Sequence, residues 1–169
     1  MTSISDMTPI QTNHADLISG MNTFYRTLLD LDYLREEEVQ FPPHTGDGKI
    51  PIATTAIRSA NLTPDVEGVL QFLPYITEAG AELTEGESSI TLHSQPVSYI
   101  YKGSDVFEGG ERFFGYADGG YEALLPPWAI LLFSGIRRDH HVVIYDTRSS
   151  MDLILQSCCK RTNCDLQKR

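Results

Sequence analysis

The chain has 169 residues, of which 41% are hydrophobic and 21% charged, and it carries a formal net charge of −10. This length is enough to bury a core within one domain, and the balance of apolar and charged residues is typical of a folded protein, which excludes wholesale disorder. The net negative charge disfavours nucleic acid and anionic membranes as partners.

The charge is unevenly distributed, because residues 1–126 contain 19 acidic and 6 basic side chains while residues 127–169 contain 4 and 7. The N-terminus has neither the basic start nor the apolar core of a secretory signal. The longest apolar stretch, residues 124–133, is too short to span a bilayer. We therefore expect a cytoplasmic protein, with a nuclear location as the alternative.

The first element in chain order is an amphipathic helix predicted over residues 14–34, after a flexible N-terminus at residues 1–13. Thr12 or Asn13 is expected to cap this helix. The acidic run at residues 35–38 is expected to form a solvated surface. Apolar side chains recur at helical spacing along one stripe, formed by Leu17, Ile18, Met21, Phe24, Tyr25, Leu28 and Leu29.

Residues 41–51 are too rich in proline and glycine for regular structure and are predicted to form a loop. The loop contains the sequence GDGK, which invites comparison with a phosphate-binding loop. That motif needs a glycine at the position of Pro43, which has no amide hydrogen, and a hydroxyl side chain at the position of Ile50. The sequence therefore excludes a nucleotide site here.

Two further helices are predicted, a short one within residues 52–61 and a clearer one over residues 63–73. Thr63 is expected to cap the second helix. Residues 77–89 are acidic and are expected to form a surface loop. The buried face of the second helix is expected to consist of Val66, Val69, Leu70 and Leu73.

After residue 89 the apolar pattern changes from a helical to a strand-like period. The predicted strands cover residues 89–93, 97–102, 128–134, 140–146 and 152–157. The third of these is apolar on both faces, which is typical of a covered central strand. The five residues between the third and fourth strands suit an antiparallel hairpin.

These elements predict an α+β fold in which N-terminal helices pack on a mainly antiparallel C-terminal sheet. The expected single domain covers residues 14–156 and is followed by a tail at residues 157–169 that is rich in Cys, Lys and Arg. All three cysteines lie in this tail, so none is available to crosslink the domain.

The most chemically suggestive stretch is RRDHHVVIYDT at residues 137–147. His140 and His141 are expected to point to opposite faces of one strand, so they cannot readily hold the same ion. Asp139 and His141 supply at most two ligands, whereas zinc takes three or four from a protein. Asp146 is expected to bond its own turn backbone. We therefore assign no catalytic, cofactor-binding or metal-binding residue, and no cofactor.

A different kind of surface is predicted in the glycine-rich acidic segment at residues 103–122. Aromatic side chains on a loop must pack back on the sheet or meet a partner, and the surrounding acids would attract a basic protein. Replacing Phe113 and Tyr116 by serine is then expected to weaken partner capture without lowering the melting temperature. Trp128 is expected to be a core aromatic residue.

Three stretches, residues 62–76, 124–133 and 140–150, carry a family resemblance. A helix ending in Leu-Pro-Tyr, a Pro-Trp strand and a strand ending in Tyr-Asp-Thr together resemble a group of uncharacterised fungal proteins. The order is more distantly similar to the SUKH superfamily, α+β domains known as cell-wall-synthesis regulators in fungi and immunity proteins in bacteria. The resemblance covers residues 14–150 and implies a binding scaffold without catalytic residues. Residues 148–164 depart from the glycine turn and strand of related chains, which leaves the C-terminal boundary open.

The leading functional hypothesis is a non-catalytic protein-interaction module with an acidic surface and a protein partner of basic character. The first alternative is a small hydrolase-like enzyme whose carboxylates and histidines converge only in the fold. The second is a metal-binding protein that uses Asp139, His141 and the tail thiols of Cys158, Cys159 and Cys164.

Overall fold

The structure is a computed structural model that describes residues 8–80, 94–100, 113–114, 123–135 and 141–156. The helices are α1 (Pro9–Asn13), α2 (Ala15–Asp30), a 3₁₀ turn (Glu36–Glu38), α3 (Thr54–Ser59) and α4 (Pro64–Leu70). The strands are β1 (Val39–Gln40), β2 (Tyr75–Ile76), β3 (Ser94–Pro96), β4 (Phe113–Phe114), β5 (Ala123–Leu124), β6 (Ala129–Gly135), β7 (His141–Asp146) and β8 (Met151–Gln156). Helices come first and most of the strand residues follow, so the α+β prediction is confirmed.

The largest sheet has four antiparallel strands in the order β3-β6-β7-β8. The hairpin expected between the third and fourth predicted strands is β6–β7, and the last expected strand is β8. Two short antiparallel pairs, β1–β2 and β4–β5, stand apart from this sheet. The predicted antiparallel character of the C-terminal strands is confirmed.

Both faces of the β6–β7 pair are buried in apolar clusters. On one face Ile130 and Tyr145 join the largest cluster, which also contains the α4 face of Val66, Val69 and Leu70. On the other face, a separate cluster is formed by Leu125, Ala129, Leu131, Val142 and Ile144. The expected alternation along the fourth predicted strand is therefore present, and the expectation that β6 is covered on both sides is confirmed.

The β6 strand contains an irregularity that adds to the larger cluster. The register of its pairing with β7 shifts between Leu131 and Phe133, which leaves Leu132 as an extra residue. A bulge of this kind places two successive side chains on the same side of a strand. Leu132 and Phe133 accordingly both belong to the cluster that α4 covers.

Helix α2 carries the apolar stripe that its spacing predicts. Leu17 joins the largest cluster, while Tyr25 is buried in a third cluster with Leu34, Val39 and Ile76. The remaining stripe residues are half-buried and pack against one or both of these clusters: Ile18, Met21, Phe24, Leu28 and Leu29. The helix therefore bridges the main core and the small β1–β2 sheet.

The N-terminal boundary differs from the prediction, because helix α1 begins at Pro9, within the segment expected to be flexible. Thr8 caps it: the Thr8 hydroxyl accepts from the Gln11 amide at 3.3 Å, and the Gln11 side-chain oxygen accepts from the Thr8 amide at 2.8 Å. This reciprocal capping box and the proline at the first helical position explain the early start. The caps proposed at Thr12 and Asn13 are wrong, since both lie inside α1.

Two other local predictions need correction. Glu38, the last residue of the acidic run, is buried, and its carboxylate accepts from the Arg35 amide at 2.7 Å. Thr63 does occupy the position before α4, but its hydroxyl makes no capping bond and is buried without a partner. Instead the Thr63 amide donates to the Pro127 carbonyl at 3.0 Å, which attaches the start of α4 to the segment before β6.

The strand expected at residues 97–102 is also displaced, since β3 covers Ser94–Pro96. The Tyr99 hydroxyl donates to the Leu131 carbonyl at 3.0 Å and accepts from the Leu131 amide at 3.2 Å. The Tyr99 side chain thus bonds the backbone groups of Leu131 with which a longer β3 would have paired. Pro96 ends the strand on the sheet edge, where a missing amide hydrogen is tolerated.

The loop at residues 41–51 and the short helix within residues 52–61 are present as predicted, and the face of the 63–73 helix is buried as predicted. Other predictions lie wholly or mostly outside the described residues. These are the flexible segment before Thr8, the surface loop at 77–89 beyond Gly80, the strand at 89–93, the aromatic segment 103–122 apart from the backbone of Phe113–Phe114, and the tail at 157–169.

Helix α1 is held on α4 by a contact that a single methyl group would disturb. A Cβ added to Gly68 would overlap the terminal methyl of Ile10. Alanine normally stabilises a helix interior relative to glycine by about 0.5–1 kcal/mol. We expect Gly68→Ala to lose most of this gain, because the terminal methyl of Ile10 has to move away from the added Cβ. Chemical denaturation measures this.

The matched control is Ile10→Val, which removes the clashing methyl. In that background Gly68→Ala is expected to give the full gain of about 0.5–1 kcal/mol, so the two substitutions should be non-additive in a double-mutant cycle. Equal effects of Gly68→Ala in both backgrounds would show that α1 does not pack on α4 in this way.

Candidate functional site

A polar cleft of about 430 Å³ opens where the N-terminal end of the molecule meets the turn between β7 and β8. Helix α1 and the His14 junction form one wall, the first turn of α4 forms another, and the β7–β8 turn closes the third side. Its lining is Pro9, Ile10, Asn13, His14, Asp65, Thr147, Arg148 and Ser150.

His14 is the buried ionisable group of this cleft, with only 5% of its surface exposed. It links α1 to α2, and its Nδ1 lies 2.8 Å from the Tyr145 hydroxyl on β7, with the two rings edge to face. Burial lowers the pKa of His14, while the nearby Asp65 carboxylate opposes part of that shift. The imidazole is therefore neutral near pH 7, and the Tyr145 bond fixes the orientation of its ring.

The β7–β8 turn uses its polar groups mainly to hold itself in place. As predicted, Asp146 bonds its own turn, since its carboxylate accepts from the Arg148 amide at 2.9 Å. The Thr147 hydroxyl donates to the Trp128 carbonyl at 2.8 Å. The Arg148 guanidinium lies 3.5 Å from the centre of the Trp128 ring. Trp128 is only half-buried, so the expectation of a core residue is wrong, and a cation covers one face of its ring instead.

A second buried histidine, His44, is 2% exposed and lies in the loop after β1. Its Nε2 donates to the Leu73 carbonyl at 2.8 Å, so its Nδ1 must accept from the Gln40 amide group, also at 2.8 Å. Gln40 additionally donates to the Ile50 carbonyl and accepts from the Ile50 amide, at 2.7 and 2.8 Å. These bonds close the loop on the core and use the polar atoms of both side chains.

The surroundings of His44 keep its ring neutral. Burial lowers its pKa, the bond to the Leu73 carbonyl partly opposes this, and the Lys49 ammonium lowers it further. Protonation would also put a hydrogen on Nδ1, where it would face the Gln40 donor. His44 therefore stabilises the loop only in its uncharged form.

Sequence reasoning identified neither buried histidine as important. His14 meets Tyr145 across 131 positions of sequence, and His44 meets Leu73 across 29. No local residue spacing predicts contacts between residues so far apart in sequence. Only His44 had a local sequence signal. It lies in a loop rich in proline and glycine, and the backbone groups of such a loop need hydrogen-bond partners from side chains when they are buried.

The stretch that sequence analysis singled out for chemistry is described only in part. The backbone of His141 begins β7, whereas Asp139, His140 and the three cysteines lie outside the described residues. In the part of the chain that the structure describes, no three His, Cys, Asp or Glu side chains converge as metal ligands would. The histidines whose side chains are described, His14 and His44, lie in separate environments and bond tyrosine, glutamine and backbone groups.

A second cleft, of about 440 Å³, lies at the C-terminal end of α2 and differs in character. Its lining combines apolar and charged side chains: Leu29, Asp30, Asp32, Leu34, Arg35 and Glu36. Beside it stand the two most exposed large apolar side chains among the described residues, Leu31 at 61% and Tyr33 at 69%. Acidic residues flank both side chains in sequence, at Asp30, Asp32 and Glu36.

Comparison of the chain with protein-family models, with curated proteins and with solved structures found no match in any of the three. Within the described ranges, no helix has the length and apolarity that crossing a bilayer requires.

The buried histidines predict how stability depends on pH. Both have a folded-state pKa below their ordinary value of 6.5, so the unfolded chain binds protons more readily. Their contribution to the free energy of unfolding is then complete above about pH 6.5 and is lost as pH falls toward the folded pKa values. Denaturation between pH 7 and pH 5 should show stability falling with acid.

The variant His44→Phe tests whether His44 is neutral in the folded protein. It keeps a ring but cannot titrate, so it should be less stable than the parent at pH 8 and lose less stability between pH 7 and pH 5. An unchanged pH slope in this variant would mean that His44 is not neutral in the folded protein.

Proposed function

We propose that this protein is a non-catalytic protein-interaction module that binds a protein partner through an acidic surface. The observation that carries the proposal is the exposure of Leu31 and Tyr33 among carboxylates at the end of α2. Covering large apolar side chains that would otherwise remain in water lowers the free energy of the complex. A net charge of −10 supports a partner of basic character.

The distribution of polar groups supports the same proposal. His44 and Gln40 bond each other and nearby backbone groups, and Tyr75 donates to the Leu70 carbonyl at 2.7 Å. Tyr99 bonds both backbone groups of Leu131. Side chains that bond the backbone in this way stabilise the fold, and they are poorly placed to act on a substrate.

We also propose that the chain is related to the SUKH-like domains and the fungal proteins that it resembles, and that it works in the cytoplasm. Helices followed by an antiparallel sheet are what that resemblance implies. Because unrelated proteins share such architectures, the fold adds only modest support.

A small hydrolase-like enzyme is the second candidate, and the polar cleft is the observation that favours it. A neutral His14, held by Tyr145 and near Asp65, has the protonation state of a general base. The hydroxyls of the cleft are engaged elsewhere, since Thr147 donates to Trp128 and the Ser150 hydroxyl lies 3.4 Å from the Asn13 carbonyl. A hydrolase would therefore have to activate water.

The two candidates are separated by purifying the full chain, at its native level and from its own cells, for native mass spectrometry. A protein-interaction module is expected to be recovered with one other protein at fixed stoichiometry. Metal analysis of the same sample tests the metal-binding alternative.

A hydrolase would instead be recovered alone and would turn over ester, amide or phosphoester substrates, with the rate abolished by His14→Asn while Tyr145→Phe reduces it. Recovery of the chain alone together with such turnover would overturn the proposed function.

A further inference from the structure

The C-terminal end of α2 forms a surface that we call the α2 corner, defined by Leu31, Tyr33, Asp30, Asp32 and Glu36. Leu31 and Tyr33 are 61% and 69% exposed, and the carboxylates lie on either side of them in sequence. The adjoining cleft of about 440 Å³ has Leu29 and Leu34 in its lining. The corner therefore offers an apolar centre beside a cleft, with acids around it.

The backbone of the corner is a Schellman motif. The Tyr33 amide donates to the Leu28 carbonyl at 2.9 Å and the Asp32 amide to the Leu29 carbonyl at 3.0 Å, while Asp32 has a left-handed φ of 57°. In this motif the residue at the Tyr33 position commonly packs on the one at the Leu28 position. Here Tyr33 stays largely in water, so the motif presents the aromatic ring outward.

The residue types at the corner are not those that best stabilise a helix end. The left-handed position favours glycine, and Asp32 is one of the few other residue types that adopt it readily. The end of a helix favours basic side chains, yet the last turn of α2 contains none and ends in Asp30. These acidic side chains therefore add no stability to the end of the helix.

The charge of the corner specifies the occupant. The side chains of Asp30, Asp32, Glu36 and Glu37 are exposed, and the bases nearest to them in sequence are Arg26 and Arg35. Among the described residues none of these four acids forms an ion pair. Nucleic acid, anionic lipid and a second copy of this chain, with its net charge of −10, would all be repelled.

We propose that the α2 corner binds a basic segment of a partner protein, whose apolar side chain packs against Leu31 and Tyr33 while its Lys or Arg side chains meet the surrounding carboxylates. This inference rests on the proposed function and adds the location of the interface and the chemistry of the partner. The apolar centre supplies affinity, and the acids supply orientation and speed of association.

The test uses three synthetic hexapeptides and the full ¹⁵N-labelled chain. Lys-Arg-Leu-Phe-Arg-Lys is the probe, Lys-Arg-Ser-Ser-Arg-Lys lacks the apolar side chains, and Glu-Glu-Leu-Phe-Glu-Glu reverses the charge. We expect the first peptide to shift the backbone amides of residues 28–37 in NMR spectra with submillimolar affinity that weakens with salt. The other two should bind at least about tenfold more weakly. Equal binding of all three, or shifts elsewhere only, would overturn the proposal.

Variants separate the apolar and the charged contributions. Leu31→Ser with Tyr33→Ser, and Asp30→Asn with Asp32→Asn, should each weaken the probe at least about tenfold without lowering the melting temperature. A large fall in melting temperature for the serine pair would show that these side chains are core, and would overturn the proposal.

The control for charge is Asp16→Asn with Asp65→Asn. Asp16 lies in the first turn of α2, roughly 20 Å from its C-terminal end by helix geometry, and Asp65 lines the His14 cleft. The control for apolar exposure is Met151→Ser, since Met151 is 47% exposed on β8. Both controls should bind the probe as the parent does, and weakening as large as in the corner variants would refute a local site.

The native complex distinguishes this inference from the proposed function. If a stoichiometric protein partner is recovered with the parent chain and also with the Leu31→Ser/Tyr33→Ser variant, the function stands and the α2 corner is wrong. If the parent has no partner, the function itself fails.

Two other occupants would be recognised directly and would each overturn the proposal. A second copy would give concentration-dependent dimers in sedimentation that the serine pair abolishes. The chain's own basic tail would be revealed if charge reversal at Lys160, Arg161, Lys168 and Arg169 shifted the corner amides without any peptide.

Discussion

The pairing of β6 with β7 is the contact on which the rest of this structure depends, because both strands are buried on both faces. Ile130 and Tyr145 face the helices, whereas Leu131 and Ile144 face a separate cluster. A strand pair of this kind has to be covered on each side before its apolar surface leaves water. The position of α4, the bulge at Leu132 and the attachment of Thr63 to the segment before β6 all follow from covering one of those faces.

Buried polar side chains connect parts of the chain that are distant in sequence. Tyr145 reaches His14 at the start of α2, Tyr99 replaces the ladder partner of Leu131, and His44 holds its loop to Leu73. Each bond satisfies a group that would otherwise be buried without a partner, which is costly in an apolar interior. The fold consequently keeps both histidines neutral. These histidines and tyrosines, which could act in catalysis elsewhere, here stabilise the structure.

The surface at the end of α2 follows a different logic. The Schellman motif terminates the helix with good backbone hydrogen bonds, yet Tyr33 lies largely in water and Asp30 places a negative charge at the negative end of the helix dipole. Local choices that disagree with the fold are most common where a protein meets another molecule. The buried histidines and tyrosines are held by hydrogen bonds, whereas Leu31 and Tyr33 are exposed, and this contrast is the reason to propose a function on the surface.

The sequence by itself determined the elements whose side chains repeat with a clear period. The stripe of α2, the buried face of α4 and the apolar strands β6 and β7 were predictable because periodicity is a local property. The antiparallel hairpin followed from the short connection between those strands. Element ends were less predictable, as Thr8 shows, because a capping box depends on two particular side chains rather than on a period.

Only the tertiary structure decided which polar residues meet. His14 and Tyr145 are 131 positions apart, and nothing near either residue reveals the other. The same holds for Tyr99, which stops β3 short by taking the backbone groups of Leu131, and for Trp128, whose ring is covered by Arg148 rather than by the core. Exposure at Leu31 and Tyr33 was equally hidden, because an apolar residue after a helix looks the same in sequence whether it turns inward or outward. These outcomes depend on which surfaces are adjacent in space, and a chain has no spatial neighbours until it has folded.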